Sequence, residues 1–214
     1  MYPIELFLCS FHQIIHPMKF KNLLLATCGI LAATVSNAQP FEKGNTVVSL
    51  GYGFGNLGSA IASTYKDEPG FKSSNFGPIY VGVENMVSDK IGLGISFNYV
   101  GTTFSWTGDD SMGTGNYTYK WKRNTWSALL RTNVHFGESD KFDPYIGIGI
   151  GYRTAKNEYT STDPTFTPVS TKTLIPLGFE AVFGARFYAT ENINIFAEVG
   201  IAKAPIKFGV GYKF

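Results

Sequence analysis

Large apolar side chains alternate with small or polar ones along most of the chain after residue 45. Between residues 48 and 55, the even positions up to Phe54 are apolar or aromatic, and the odd positions are serine or glycine. Side chains point to opposite faces in turn along a β-strand, so this period of two predicts strands rather than amphipathic helices. The pattern covers eight segments: residues 48–55, 77–86, 91–99, 117–136, 144–153, 177–187, 193–201 and 206–214. In the fourth segment the alternation slips near Asn124, which predicts a β-bulge.

The second face of these segments is rich in glycine, and this composition indicates which face points inward. A solvated strand rarely carries so much glycine, because glycine contributes no side chain to packing. In a narrow barrel, small residues leave room for a few large polar side chains, and the apolar face meets lipid. The pattern therefore predicts an all-β fold, an eight-stranded antiparallel up-and-down transmembrane β-barrel.

The connections between the predicted strands fall into a short set and a long set. The short set comprises residues 87–90, 137–143 and 189–192, and the long, polar set comprises residues 56–75, 106–116 and 156–173. Transmembrane barrels have short periplasmic turns and long external loops, so the alternation of the two sets supports this fold. The connection at residues 202–205 is an exception, because it is short although it is predicted to lie at the same end of the barrel as the long set.

The N-terminus has the features of a secretory signal peptide. A basic start at residues 18–22 precedes an apolar run at 23–35, which is shorter than the roughly 20 apolar residues of a membrane-spanning helix. Small residues then lead to a predicted cleavage between Ala38 and Gln39. We therefore interpret residues 1–17 as an upstream extension, 18–38 as the signal peptide and 39–214 as the barrel domain. Both cysteines precede Gln39, so the mature chain would contain no disulfide.

These features together resemble a known family. The leader at residues 18–38, the eight alternating segments, the stretches "DPYIGIGIGY" and "FGARFYATENINIFAEVG", and the ending "FGVGYKF" are similar to small Gram-negative outer-membrane β-barrel proteins of the OmpA type and "porin family". The resemblance covers residues 39–214 and implies an outer-membrane location. It also implies that the barrel assembly machinery recognises a C-terminal pattern formed by Phe208, Val210, Tyr212 and Phe214.

Charged residues on the glycine-rich face are expected to lie in the lumen. The predicted lumenal polar network comprises Glu84, Arg131, His135, Arg153, Glu180, Arg186, Glu198, Lys207 and Lys213. Acids and bases are both present in a partly dry interior, so we expect them to pair. An eight-stranded barrel is only wide enough for side chains to fill it, so a plugged lumen is favoured over an ion path or gate.

The sequence contains no convincing catalytic, metal or cofactor motif. His135 is the only histidine after residue 39, and neither Ser127 nor Ser139 lies at a spacing that suggests a hydrolase triad. The segment from Gly53 to Gly58 matches the G-x-G-x-x-G fingerprint, but no second strand–helix unit follows it. We therefore predict no enzymatic activity and no cofactor, and we interpret the first glycines as lumenal positions.

Partners can be predicted only by class. The net charge of +2 gives no reason to expect nucleic acid, and lipid and lipopolysaccharide are the expected surroundings of a monomeric barrel. The cluster of Lys120, Trp121, Lys122 and Arg123 is a candidate for anionic headgroups. Asp109 and Asp110 are interpreted as solvated loop charges. No surface ligand is indicated.

Four classes of function remain open at this point. A structural or surface-interaction barrel acting through its extracellular loops is favoured, and a narrow porin-like channel is the main alternative. A lipid-modifying enzyme is weakened by the isolated His135. A soluble barrel of the lipocalin kind would need the opposite polarity, with the apolar faces inside.

Overall fold

The computed structural model describes residues 42–56, 58, 60, 66–109 and 115–214. Its regular elements are antiparallel strands: β1 (Thr46–Phe54), β2 (Lys72–Ser88), β3 (Ile91–Asp109), β4 (Asn116–His135), β5 (Phe142–Ser161), β6 (Val169–Lys172), β7 (Leu177–Tyr188), β8 (Ile193–Ile201) and β9 (Ile206–Lys213). The predicted signal peptide, its cleavage site at Ala38 and Gln39, and the upstream extension lie outside the described residues.

The sheet closes on itself. β1 pairs with both β2 and β9, which joins the first strand to the last. The other pairs in the ring are β2 with β3, β3 with β4, β4 with β5, β5 with β7, β7 with β8 and β8 with β9. β6 pairs with the far part of β5, and β7 pairs with the near part, so these two strands together occupy one position in the ring. The result is the eight-position antiparallel barrel that the alternation predicts, which confirms the predicted fold class.

The outer surface of the barrel is apolar, and the inner surface is polar or glycine. On β5, outward positions from Phe142 to Tyr152 are apolar and largely exposed, with Ile148 63% exposed, before Lys156 begins a charged stretch. This apolar length matches the roughly 9–11 residues that a tilted strand needs to cross the hydrocarbon core. In the described part of the chain, no helix is long and apolar enough to cross a membrane.

The predicted bulge at Asn124 is wrong. β4 keeps a continuous register with β3, from Ile91 opposite Val134 to Asp109 opposite Asn116, and its pairing with β5 is equally regular. The apparent slip arises because Trp121 and Leu129, although large and apolar, point into the barrel and are buried. Their side chains interrupt the hydrophobic pattern without interrupting the ladder.

A real irregularity lies in β2, where the register with β3 shifts between Phe76 and Ile79. Gly77 has a φ of 87°, a value that favours glycine, and a Cβ there would lie 2.5 Å from the carbonyl oxygen of Tyr99. Glycine at this position therefore allows the strand to bulge while staying close to its neighbour.

The strands differ greatly in length. β2 to β5 contain 17 to 20 residues each, whereas β1, β8 and β9 contain 8 or 9. Parts of the sequence predicted as long loops at 56–75, 106–116 and 156–173 are therefore strand, namely residues 72–75, 106–109, 116, 156–161 and 169–172. We call the end of the barrel that carries these extensions the outer end, and the raised part of β2 to β6 the outer wall. The turn at residues 202–205 lies on the low side opposite this wall.

Candidate functional site

Arg131 is the centre of a polar network in the lumen. Its Nη2 lies 2.6 Å from Oε1 of Glu198, and its Nη1 lies 3.3 Å from Oε1 of Glu180. Nη1 also donates to the hydroxyl of Tyr80 at 3.3 Å. Arg131 projects from β4, Glu180 from β7, Glu198 from β8 and Tyr80 from β2, so one guanidinium joins side chains from around the barrel.

A second group of charges lies beside the first. Glu84 pairs with Arg186, and its Oε1 lies 3.0 Å from Nε2 of His135. The other ring nitrogen of His135, Nδ1, lies 2.8 Å from Oδ2 of Asp143. Because both ring nitrogens face carboxylate oxygens, this arrangement is best satisfied when both carry a proton.

Asn133 connects the two groups. Its Oδ1 accepts a hydrogen bond from Nε of Arg131 at 2.8 Å, and its Nδ2 donates to Oε1 of Glu84 at 2.7 Å. Glu198 extends the network further, because it pairs with Lys207 and accepts a bond from the hydroxyl of Tyr145 at 2.7 Å. The two groups of charges therefore form one connected network.

The charges of this network balance when both ring nitrogens of His135 carry a proton. The carboxylates are Glu84, Asp143, Glu180 and Glu198, and the cations are then Arg131, Arg186, Lys207 and His135; all are buried. Ion pairs removed from water are maintained when geometry is good and the remaining polar atoms are bonded. The network fills the cross-section of the barrel with mutually neutralised side chains.

Inward glycines provide the space that these large side chains occupy. A Cβ on Gly92 would collide with the carboxylate of Glu84, and one on Gly184 would collide with the ring of Tyr145. A Cβ on Gly147 would lie 2.7 Å from Nη2 of Arg131. The glycine-rich face is therefore the complement of the charged network.

Apolar clusters lie toward both ends of the lumen. Val47, Met86 and Tyr188 form a buried cluster at the end opposite the outer wall, where Nζ of Lys213 lies 5.3 Å from the ring centre of Tyr188. Phe104 and Trp121 are buried near the outer end, with their ring centres 5.0 Å apart. Polar and apolar side chains together close the described interior.

The structure brings most of the predicted lumenal residues together. Glu84, Arg131, His135, Glu180, Arg186, Glu198 and Lys207 belong to the network. Arg153 and Lys213 lie apart from it, toward the outer end and the opposite end respectively. Nη2 of Arg153 donates to the backbone oxygen of Phe179 at 3.0 Å.

Four further residues of the network were not predicted from the sequence: Asp143, Asn133, Tyr80 and Tyr145. Tyr145 has the same parity as Gly147 and Gly149 on β5, and Tyr80 has the same parity as Glu84 on β2. Parity alone could therefore have placed both tyrosines inside. Asp143 was assigned to the connection at residues 137–143, although it belongs to β5.

The surroundings of His135 do not resemble those of a catalytic base. Both of its ring nitrogens contact carboxylates, so neither faces a serine hydroxyl. Ser139 instead accepts a hydrogen bond from the backbone N–H of Lys141. Among the described residues, no cluster of His, Cys, Asp and Glu could hold a metal ion.

The glycine fingerprint also has a structural explanation. Gly53 is buried in β1, and Gly55 has a φ of 75° just beyond the end of that strand. The backbone N–H of Ala60 donates to the carbonyl of Asn56, as in a helical turn. However, β1 pairs antiparallel with both of its neighbours, whereas a dinucleotide-binding turn connects strands of a parallel sheet.

The predicted cluster at residues 120–123 is not one surface. Lys120 and Lys122 are exposed on the outside of β4, whereas Trp121 points inward and Arg123 also lies on the inner face. The alternation of a strand separates neighbours in this way. On the outside, Lys122 lies opposite Glu158 of β5, and Lys156 of β5 lies opposite Lys172 of β6.

The last strand presents the predicted assembly pattern to the outside. Phe208, Val210, Tyr212 and Phe214 are all exposed, with Phe214 71% exposed. The backbone N–H of Phe214 donates to the carbonyl of Thr46 and so ties the end of the chain to β1. Recognition of this pattern by the assembly machinery stays a prediction.

A family model described as the outer membrane protein beta-barrel domain matches residues 23–214. The chain therefore belongs to the family of outer-membrane β-barrel proteins, which confirms the resemblance seen in the sequence. Members of this family are barrel proteins of the outer membrane rather than enzymes.

Several solved structures are similar to this chain. Ail, the attachment invasion locus protein of Yersinia pestis, is 14% identical, with 80% of this chain and 99% of that chain covered and a TM-score of 0.47. The N-terminal β-barrel domain of Pseudomonas aeruginosa OprF is 14% identical, with coverages of 81% and 98% and a TM-score of 0.37. OprG from the same organism is 15% identical, with coverages of 83% and 99% and a TM-score of 0.35. A comparison with curated proteins finds no match.

Proposed function

We propose that this protein is a non-conducting and non-enzymatic barrel of the outer membrane that acts through its outer end. The observation that carries this proposal is the connected, charge-balanced network around Arg131, which occupies the lumen with buried side chains. A solute crossing the barrel would have to separate ion pairs that are out of contact with water, which is costly. With the lumen closed, we expect the protein to act by binding a partner at its outer end.

The outer wall supports a surface-interaction role. It raises β2 to β6 beyond the apolar band and holds loop residues in place through aromatic contacts, such as Tyr119 with Phe166 at 6.0 Å between ring centres. A wall of paired strands is stiffer than free loops, so it presents side chains in a defined arrangement.

Conductance measurements test the closed lumen. We expect the purified, refolded protein to give no reproducible openings in planar lipid bilayers at neutral pH, in contrast to a general porin in the same bilayers. Reproducible single-channel steps that scale with protein concentration would overturn the proposal and favour a narrow ion channel. Heat-dependent migration on a denaturing gel establishes that the tested sample is folded.

We infer from the exposed lysines on the outer wall that lipopolysaccharide is the surrounding lipid. Lys120, Lys122, Lys156 and Lys172 lie just beyond Trp126 and Tyr152, which pack together with their ring centres 5.0 Å apart. Aromatic side chains favour the membrane interface, and lysines beside them can contact anionic headgroups.

A pair of matched double variants tests this contact. We expect Lys120→Gln with Lys122→Gln to lower retention of lipopolysaccharide by the refolded barrel. The same change at Lys90 and Lys141, exposed lysines at the opposite end, should have little effect. Equal retention by the two double variants would contradict a specific role for the wall.

A further inference from the structure

A second polar site lies in the barrel, between the charged network and the outer end. It is a cavity of about 250 Å³, which we call the outer cavity. Its polar lining consists of Arg123 of β4, Arg153 of β5, Lys203 of the turn between β8 and β9, and the side chains of Asn56, Thr102 and Thr125. Three cations from three separate elements therefore face one space.

The outer cavity contrasts with the network because its described lining includes no carboxylate. The acid that acts on Arg153 is Glu180, which is already bonded to Arg131 in the layer below. Glu198 and Lys207 share a small void with Lys203, but those two side chains pair with each other. Among the residues that the structure describes, the positive charge of the cavity thus has no local counter-charge.

Several donors in the cavity are unused in the described structure. Nζ of Lys203 and Nε of Arg153 are buried there without a hydrogen-bond partner. Arg153 uses Nη2 to hold the carbonyl of Phe179, and Arg123 uses Nη1 to hold Oδ1 of Asn157 at 3.2 Å. These bonds fix the positions of the two guanidinium groups and leave other N–H groups available. Buried donors are normally satisfied by an acceptor, so their geometry indicates a ligand that supplies several acceptors.

The pKa of Lys203 depends on the other cations of the cavity. Burial, together with the positive charges of Arg153 and Arg123, lowers the pKa of Lys203 to about 7. An anion in the cavity would offset the charges of all three side chains and favour the protonated amine.

Size and donor type define the class of ligand. The cavity is smaller than the roughly 300–1,000 Å³ of sites that hold drug-sized molecules. Guanidinium and ammonium groups, together with threonine hydroxyls, match the oxygen atoms of phosphate and sulfate. We propose that the outer cavity is a binding site for a tetrahedral oxyanion, either free or as the terminal phosphate or sulfate group of a small molecule that enters from the outer end.

Calorimetric titration of the full-length mature barrel, refolded in a zwitterionic detergent and chloride buffer, tests this proposal. Sodium sulfate, sodium phosphate and glucose 6-phosphate are the three probes. Saturable binding of either inorganic ion supports a site for the free anion. Binding of glucose 6-phosphate alone supports a site for an esterified group. The absence of saturable binding by all three probes would overturn the proposal.

Matched variants locate the binding. Lys203→Gln and Arg153→Gln should each weaken the affinity about tenfold or more, because each removes a charge-assisted contact. Lys90→Gln, which removes the same charge from an exposed site at the opposite end of the barrel, should leave the affinity unchanged. An equal loss in the Lys90 variant would show general electrostatic attraction and contradict the assigned site. Heat-dependent gel migration checks that each variant is folded.

The pH dependence with sulfate gives a second signature. Sulfate keeps its charge between pH 6 and 8.5, whereas Lys203 loses its proton across this range, with Arg123 and Arg153 facing it and Glu198 and Lys207 paired nearby. Sulfate affinity should therefore fall as pH rises in the wild type and stay nearly constant in Lys203→Gln. A flat wild-type profile would remove Lys203 from the site. Because none of these readouts depends on conductance, the oxyanion site and the closed lumen can fail independently.

Discussion

The charged network and the outer cavity lie on the same inner face of one barrel, but the cations are paired with carboxylates in the network and not in the described lining of the cavity. Around Arg131, each cation contacts a carboxylate, and Asn133 links the pairs into a neutral whole. Around Lys203, three cations face a space whose described lining offers hydroxyl and amide groups but no acid. The first arrangement stabilises and closes the barrel, whereas the second leaves an electrostatic requirement that a ligand can satisfy. The difference shows that burial of charge in a lumen is not in itself a sign of structural function.

The largest expected effect comes from breaking the neutral network. Arg131→Ala would leave Glu180 and Glu198 with less positive charge beside them, so we expect a loss of about 3–5 kcal/mol in the free energy of unfolding. Urea unfolding followed by tryptophan fluorescence in lipid vesicles measures this change.

Lys120→Ala is the matched control for that experiment, because Lys120 is exposed on the outside of the same strand. It should change the stability by no more than roughly 0.5 kcal/mol. A loss of similar size in the two variants would mean that the network is not a principal source of stability.

A smaller and opposite effect is expected in the outer cavity. The pKa of Lys203 is lowered from 10.5 to about 7, so between these values the unfolded chain binds more protons than the folded barrel. Stability should therefore rise with pH from about 7 toward 10, and the penalty should be fully present below pH 7. In buffer without phosphate or sulfate, Lys203→Met should stabilise the barrel at pH 6 by about 1–3 kcal/mol.

The same variant has a second use. Its stabilising effect should shrink when sulfate is added, because sulfate would stabilise only the wild-type cavity by mass action. Unfolding curves of the wild type and the variant at pH 6 and pH 9.5, each with and without sulfate, measure these effects. A wild-type curve that is insensitive to pH would show that Lys203 is not held in a charge-excluding environment.

The sequence predicts the barrel far better than it predicts either lumenal region. Strict alternation fixes which face of each strand is apolar, so Glu84, Arg131 and Glu198 could all be assigned to the interior. Their partners depend on register between distant strands, and no local pattern reveals, for example, that Asn133 of β4 lies beside Glu84 of β2.

The outer extensions of β2, β3 and β5 were missed, whereas the outer part of β4 was predicted within the segment 117–136. Trp106, Tyr119 and Trp121 lie on the inward side of β3 and β4, where their size hides the period of two. The outer cavity was missed for a different reason. Lys203 lies in a short turn, and only closure of the barrel brings that turn opposite Arg123 and Arg153. Convergence of this kind is a property of the closed ring and is absent from any single segment.

The smallest effect is expected at an exposed ion pair, which completes the comparison of charge environments. Lys156 and Glu158 pair on the outside of the wall, and the hydrogen bond from Lys156 is the main cause that lowers the pKa of the Glu158 carboxyl. The stability from this contact is present above the pKa of Glu158 in the unfolded chain and is lost as pH falls through the lower pKa in the folded barrel. It is small throughout, because water and salt screen exposed charges. Glu158→Gln should therefore leave the urea midpoint unchanged at pH 7 and at pH 4, at low and at high salt. A clear, salt-sensitive shift of the midpoint in this variant would mean that the stability of the wall depends on its surface ion pairs. Paired charges would then stabilise the protein outside the lumen as well as inside it.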